Sequence, residues 1–370
     1  MDTGLIVHPY MRPERTARQT FDWCVQSSIA ADQAGFTSIM LSEHASQRWE
    51  NIPNPELIIA AAARETERIN FAPMAHLLPH QHPAKLAVMI GWLSNILEGR
   101  YFLGIGAGAY PLASYIHGIK NGSDTKFLNE MVRESLEIME KIWKREPFFY
   151  EGRFWNAGYP EEEAATDGDH QHMLADYTPW GGRPEIAVTG FSFNSPSMRF
   201  AGERGFRPVS IYSGLDALKT HWETYSEAAI KNGHTPDRSR YHVSQTVFVA
   251  DTDKEAKRLV MEGPIGHCFE RYLIPIWWRF GMMDGFIKDV GADRADVDLE
   301  WVIDNVFVVG SPDTVVEKIN RLFEATGGWG TLQIESHDYY DDPAPWFQSL
   351  EMFVKEVAPR IALPTKSTAS

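Results

Sequence analysis

Eight short apolar runs alternate along the chain with longer segments of helical periodicity. The runs lie at 4–8, 37–41, 70–75, 101–105, 185–189, 208–211, 243–250 and 331–335. Parallel strands need a crossover connection between them, which is usually a helix. Eight strands that are each followed by a helix are typical of a closed barrel. The sequence therefore predicts an α/β fold of the (β/α)8 TIM barrel class.

No Pro/Gly/Ser-rich linker divides the chain, so we expect a single domain over 1–370. The helical period weakens at about 251–305, where clustered aromatic residues predict an insertion that packs over an opening. The segment 148–155 predicts a hairpin turned at Glu151 and Gly152. The acidic stretch 161–172 predicts an exposed, locally disordered loop.

Composition argues against polyanionic partners. The net charge is −15, and no run of lysine and arginine exceeds two residues, so nucleic acid and anionic membrane are not expected to bind. The N-terminus is acidic at Asp2, and no run of about 18 apolar residues occurs, which predicts a cytoplasmic protein without a membrane span. Cys24 and Cys268 lack paired spacing and predict buried, reduced thiols.

The functional residues of such a barrel lie at the carboxyl ends of its strands. The polar or small residues expected there are His8, Glu43, His44, Ala75, His76, 106–110, Thr189, Gly190, Tyr212 and Glu335. An imidazole titrates near neutral pH and can give or take a proton, so Glu43 and His44 are candidates for acid–base chemistry. A purely structural hydrogen-bonding couple is the alternative, and the sequence favours neither.

Alternating glycines at 104, 106 and 108 end one of these runs, and they predict a floor that a flat ligand can approach closely. A tight turn is the plainer interpretation. A dinucleotide-binding loop is disfavoured because Ala109 holds the third glycine position and no suitable acidic residue follows.

Two further clusters contain residue types that can bind ligands. His76, His80 and His82 do not share a helical face, and no acidic residue completes a familiar zinc spacing, so we expect no metal site. Small hydroxyl residues at 192–197 precede a helix and could seat a phosphate, with Arg133 supplying positive charge. An ion pair with Glu137 is the alternative role of Arg133.

Several short motifs carry a resemblance to a known family. They are Ser42-Glu-His44, Leu78-Pro-x-x-His-Pro83, the stretch 97–106, Tyr150-Glu-Gly-Arg153, Pro184-Glu-Ile-Ala187 and Gly310-Ser-Pro-Asp313. Over essentially its whole length the chain resembles the bacterial luciferase-like, flavin-dependent monooxygenases. Within that family it is most similar to the diketocamphane monooxygenases, in stretches such as 12–23, 42–63, 73–86 and 338–350.

The resemblance implies reduced FMN supplied by a separate NADH-dependent reductase, O2 as co-substrate, and a homodimer. It implies Baeyer–Villiger oxygenation of a hydrophobic cyclic ketone, of the camphor-derived type, to a lactone through a flavin C4a-peroxide. Alternatives within the fold are another acceptor (an aldehyde, an amine or a sulfur compound) and hydride transfer with a deazaflavin. Flavin binding without turnover is a third alternative.

The resemblance also assigns residues. It places His44 beside the reactive edge of the flavin, with Glu43 as the preceding acid, and it implies a cis peptide between Met74 and Ala75 against the ring. The remaining cofactor positions are Gly106, Arg133, Val188, Thr189, Gly190 and Ser192. Luciferase differs here, with cysteine and arginine at the positions of Gly106 and Ala107 and glutamate at Val188. We expect Trp49, Tyr110 and Trp277 to wall the substrate pocket.

Overall fold

The computed structural model of the chain describes residues 1–160 and 176–361. The predicted disordered loop at 161–172 lies outside this range. The strands are β1 (Asp2–Val7), β2 (Ser38–Leu41), β3 (Asn70–Pro73), β4 (His76–Leu77), β5 (Leu103–Gly106), β6 (Phe148–Glu151), β7 (Asn156–Tyr159), β8 (Ile186–Gly190), β9 (Arg207–Ser210), β10 (His242–Gln245), β11 (Val247–Val249), β12 (Val308–Gly310) and β13 (Thr331–Glu335).

Nine of these segments form one parallel sheet in the order β3-β2-β1-β13-β10-β9-β8-β5-β4. Its two ends, β3 and β4, are consecutive pieces of one stretch of chain, separated only by Met74 and Ala75. Phe71 in β3 also bridges to Tyr101, just ahead of β5. Because β3 and β4 count as one strand, the sheet closes into a barrel of eight strands. The predicted (β/α)8 barrel is confirmed.

The peptide bond between Met74 and Ala75 is cis, which agrees with the bond that the resemblance implies.

Helices surround the barrel. They are α1 (Ala17–Ala34), α2 (Pro55–Ala62), α3 (Pro83–Leu97), α4 (Pro111–Ile116), α5 (Thr125–Lys144), α6 (Pro196–Arg204), α7 (Leu215–Lys231), α8 (Asp253–Glu262), α9 (Pro264–Cys268), α10 (Ile274–Arg279), α11 (Met282–Val290), α12 (Leu299–Asn305), α13 (Pro312–Thr326) and α14 (Ala344–Met352). Among the described residues, none of the helices combines the length and the apolar character that a bilayer span requires.

Local sequence signals account for several helix ends. Thr16 and Gln19 form a reciprocal capping box at the start of α1, and Gly35 ends that helix in the left-handed conformation with φ 99°. Proline occupies the first turn of α2 and of α3, where its missing N–H costs no helical hydrogen bond. These helix ends set the boundaries of the segments that contain β2, β3 and the loops that follow them.

Polar residues close one end of the barrel interior. Gln333 is fully buried, and its Nε2 donates to Ser38 Oγ and contacts His242 Nδ1, both at 3.0 Å. A Cβ on Gly4 would lie 2.1 Å from Gln333 Oε1, so glycine leaves the space that this amide occupies. An apolar cluster around Ile6, Met40 and Phe102 fills the barrel beside it. The interior is therefore packed, not an open pore.

Two segments differ from the sequence-based expectation. The apolar run at 243–250 is divided: β10 joins the barrel, whereas β11 pairs with β12 outside it. The predicted hairpin exists, but its return strand is β7, beyond the expected segment 148–155. The region expected to be an insertion, at 251–305, contains helices α8 to α12.

Candidate active site

A cavity of about 410 Å³ lies at the carboxyl ends of the barrel strands, where this fold places its active sites. Its lining includes most of the residues predicted from the sequence: Glu43, His44, Met74, Ala75, Gly106, Tyr110, Val188, Thr189, Ser192 and Trp277. Three predicted residues, Trp49, Arg133 and Gly190, do not line it. A cavity of this volume is in the range of cofactor pockets.

The floor of the cavity is formed where β4 and β5 lie side by side. A Cβ on Gly104 would meet the Pro73 carbonyl oxygen at 2.1 Å, so glycine is required there for strand packing. A Cβ on Gly106 would lie 3.3 Å from Ala75 Cβ and would project over the floor. The two glycines therefore have different roles. Gly104 allows close packing of the strands, and Gly106 leaves a flat surface.

His44 and Glu43 belong to two separate pairs. His44 Nε2 lies 3.0 Å from Glu50 Oε2, whereas Glu43 Oε2 lies 2.8 Å from His76 Nδ1. Glu43 and His44 therefore do not form one hydrogen-bonded couple, because successive side chains of an extended segment point to opposite sides. The carboxylate beside His44 is Glu50, which no sequence motif marks as functional.

Glu50 also binds two tyrosines. Tyr272 Oη donates to Glu50 Oε1 at 2.8 Å, and Tyr110 Oη donates to the same oxygen at 3.3 Å. Burial raises the pKa of both phenols above the usual value of about 10, so both remain neutral donors at pH 7. The buried carboxylate of Glu50 is thus held from one side and faces His44 with its other oxygen.

His8 completes this edge of the cavity. Its ring centroid lies 5.9 Å from that of His44 and 5.9 Å from that of Tyr212. Among the described residues, no hydrogen-bond partner meets either of its ring nitrogens. Burial lowers its pKa to about 3, so the ring is neutral at pH 7. The position of His8 at the end of a strand predicts a place in the site, but no motif marks this residue as functional.

Another edge of the cavity is formed at the start of α6, where Ser192, Ser195 and Ser197 line it. The Ser195 side chain is buried but does not cap the helix, which leaves its hydroxyl for another partner. A Cβ on Gly190 would lie 2.7 Å from Met198 Cε. Gly190 therefore lets α6 pack closely onto β8 and is not part of the lining.

Arg133 lies behind this edge. Its guanidinium is 4.4 Å from the centroid of the Phe200 ring, and Phe200 lines the cavity. Its ion-pair partner is Glu203 at 3.2 Å, not Glu137, which accepts a hydrogen bond from Tyr150. The guanidinium is about half exposed.

The aromatic wall is partly where it was expected. Trp277 lines the cavity and packs against Tyr212, with ring centroids 5.6 Å apart. Trp49 does not reach the cavity. It stacks on Tyr272 at 5.6 Å and lines a second cavity of about 260 Å³. Trp49 therefore supports the Glu50 hydrogen-bond network from behind.

His76, His80 and His82 each have a separate partner. His76 binds Glu43, His80 Nε2 lies 3.2 Å from Ser114 Oγ, and His82 Nε2 lies 3.2 Å from the Asn156 carbonyl. They do not converge on one point.

A model of the luciferase-like monooxygenase family matches residues 1–328. The chain belongs to this family. A curated relative in the family, 3,6-diketocamphane 1,6-monooxygenase of Pseudomonas putida, is 75% identical over 99% of this chain and 100% of that protein. A second, 2,5-diketocamphane 1,2-monooxygenase 1 of Pseudomonas putida, is 45% identical over 98% of this chain and 100% of that protein.

A solved structure extends this likeness to the fold. The oxygenating constituent of 3,6-diketocamphane monooxygenase from Pseudomonas putida, a type II Baeyer–Villiger monooxygenase in complex with FMN, is 76% identical and superimposes with a TM-score of 0.95. The match covers 99% of this chain and 100% of that chain. The resemblance to luciferase-like enzymes, and to the diketocamphane type within them, is thereby confirmed.

The cavity of this luciferase-like chain fits a flavin mononucleotide. A flat glycine floor lies beside Ala75, and hydroxyl groups at the start of α6 suit a phosphate. The positions that differ from luciferase, Gly106, Ala107 and Val188, all line the same cavity.

Proposed function

We propose that this chain is the oxygenating component of a two-component, FMN-dependent monooxygenase that converts a camphor-type cyclic ketone to a lactone. The observation that carries the proposal is the cavity itself. It combines a flat floor, a hydroxyl-lined edge and an imidazole–carboxylate pair within largely apolar walls. The 75% identity to a diketocamphane monooxygenase supports the same conclusion.

Bound reduced FMN supplies the two electrons and the ring at which oxygen is activated. The balanced reaction is ketone, O2 and reduced FMN to lactone, oxidised FMN and water. Met74, Ala75 and Gly106 would support the flat ring. Ser192 and Thr189, with Arg133 behind Phe200, would hold the phosphate end.

The residues of the chain then control protons and water. His44 lies in the cavity with Nε2 held 3.0 Å from Glu50, so one ring nitrogen is fixed and the ring orientation is set. In that position it can hold or move a proton at the reacting oxygen. Tyr212, Trp277 and Phe280 form an apolar wall that would exclude water and hold an alicyclic ketone.

The test is oxygenation of a ketone panel in the presence of 18O2. The purified chain is combined with FMN, NADH and an NADH:FMN reductase, and the products are identified by mass spectrometry. We expect one labelled oxygen in the ring of a lactone. Oxygenation of only aldehydes, amines or sulfides would contradict the ketone assignment, and substrate-dependent reduction of a deazaflavin without oxygen uptake would contradict oxygenation altogether.

We also propose a homodimer that contacts the reductase only transiently and works in the cytoplasm, where NADH is available. An exposed apolar stripe supports the dimer: Val88, Trp92 and Ile96 are spaced four residues apart on α3, and Trp92 is 66% exposed. Leu57 adds to this surface from the adjacent α2.

Trp92→Glu should convert the dimer to a monomer in sedimentation analysis, because it places a charge in the apolar contact. Val290→Glu replaces an exposed apolar residue on α11 and is the matched control. A dimer that survives Trp92→Glu, or a wild-type chain that sediments as a monomer, would refute this interface.

A further inference from the structure

We propose that His8, His44 and Glu50 form a binding site for a divalent transition-metal ion of the zinc type, and that an ion bound there blocks His44. The site lies at the edge of the cavity and joins the segments that follow β1 and β2. His8 follows β1, His44 follows β2, and Glu50 comes from the loop after β2. Nothing in the proposed oxygenation requires such an ion.

The three side chains already converge. One ligand atom from each of them lies within 4.8 Å of the other two, and the closest pair, His44 Nε2 and Glu50 Oε2, is 3.0 Å apart. Ligands at zinc–nitrogen and zinc–oxygen distances of about 2.0–2.1 Å in a tetrahedral site are roughly 3.4 Å from each other. Small side-chain rotations would therefore bring all three atoms to one ion.

His8 supplies an independent indication of a ligand. It is buried, it lines the cavity, and in the part of the chain that the structure covers no group hydrogen-bonds to either of its nitrogens. Buried polar atoms usually have a partner, so an orphaned imidazole calls for an explanation. A neutral imidazole facing a carboxylate and a second imidazole is the form that binds a metal ion.

The surroundings provide the outer contacts that metal sites use. Tyr272 and Tyr110 donate to Glu50 Oε1, which fixes the carboxylate and leaves Oε2 directed at His44. Such hydrogen bonds to a ligand orient it and increase metal affinity. The remaining side of the site opens into the cavity, so water can fill the fourth position, as in three-ligand zinc sites.

An ion on Nε2 would replace the contact of this nitrogen with Glu50 and would leave the ring hydrogen of the neutral imidazole on Nδ1, so the ring could no longer accept a proton at Nδ1. Metal binding would then inhibit any proton transfer that uses His44. Metal binding by these side chains does not depend on oxygenation, so the metal site and the proposed function are tested separately.

The experiment is a calorimetric titration of the FMN-free protein with ZnCl2, repeated with CoCl2 while visible absorption is recorded. We expect one saturable site per chain, and Co2+ bands of the intensity that four-coordinate sites give. His8→Ala should weaken binding by more than about 100-fold, since loss of even an outer-shell partner costs 10–100-fold. Glu50→Gln should weaken it similarly.

The matched control is His117→Ala. Exposed His117 stacks on buried His80 with ring centroids 4.4 Å apart, and the two are the competing histidine pair. Removing His117 should leave zinc binding unchanged. If His8→Ala lowers the melting temperature substantially, His8→Gln keeps the volume and serves in its place. The proposal is overturned if no saturable binding occurs, if binding survives loss of His8, or if it is lost in His117→Ala.

Discussion

Two carboxylate–imidazole pairs begin at adjacent residues after β2, and they occupy opposite environments. The Glu43–His76 pair has a 2.8 Å contact and an imidazole with no exposed surface. The His44–Glu50 pair has a 3.0 Å contact, and its imidazole is 15% exposed toward the cavity. The chemistry of the two pairs is the same, so their location alone separates their roles.

The difference teaches that a Glu–His motif does not show by itself which of its two residues takes part in catalysis. The buried pair fastens the end of β2 to β4, across the closure of the barrel. The open pair places a ring nitrogen where a ligand can reach it. Three substitutions test this division.

The largest effect is expected from His44→Ala. Loss of a positioned acid or base typically costs 10²–10⁴-fold in rate, so lactone formation should fall by at least about 100-fold. FMN affinity, measured by fluorescence quenching, should change little because the floor and the hydroxyl edge remain. Product formation at the wild-type rate would remove His44 from the mechanism and erase the functional contrast between the pairs.

His76→Ala should act mainly on stability. It leaves the Glu43 carboxylate buried without its imidazole, and breaking a buried pair in this way costs about 3–5 kcal/mol of unfolding free energy. The measurement is urea denaturation beside His44→Ala, which should lose much less because Glu50 keeps its two tyrosines. Equal losses of unfolding free energy in the two variants would show that the two pairs contribute equally to stability.

Glu335 sharpens the comparison because it is a buried carboxylate without an imidazole partner. Burial raises its pKa from 4.5 to about 7, although the Ser244 hydroxyl donates to its Oε1 at 2.6 Å. The folded state therefore retains a proton that the unfolded chain releases near pH 4.5. Stability should fall by about 3 kcal/mol as the pH rises from about 4.5 through 7.

Glu335→Gln keeps an acceptor for Ser244 but cannot ionise, so it should flatten this pH dependence. Urea denaturation of both proteins at pH 5 and pH 8 measures the effect. An unchanged pH dependence in the variant would show that Glu335 does not cause it.

The barrel was predictable because its signals are local. Short apolar runs, Pro at helix starts and Gly35 at a helix end all act within a few residues. The division of 243–250 into β10 and β11 was not predictable, because the run stays apolar across the break while its two halves pair with different strands.

In the site, position at strand ends was enough to select His44, Ala75, Gly106 and Thr189. Glu50 was missed because a bridge between His44 and Ile52 turns the loop back on itself, and nothing in the spacing of the residues shows that return. Arg133 and Trp49 were selected by resemblance or residue type, and their contacts place them just behind the cavity.

The most direct test of the account is a crystal structure of this chain with FMN, from which the position of the ring relative to His44 is measured. We expect the isoalloxazine against Met74, Ala75 and Gly106 and the phosphate beside Ser192 and Ser195. The His44 imidazole should face the ring while Glu43 remains bound to His76. A flavin bound elsewhere, or a His44 side chain turned away from the ring, would contradict it.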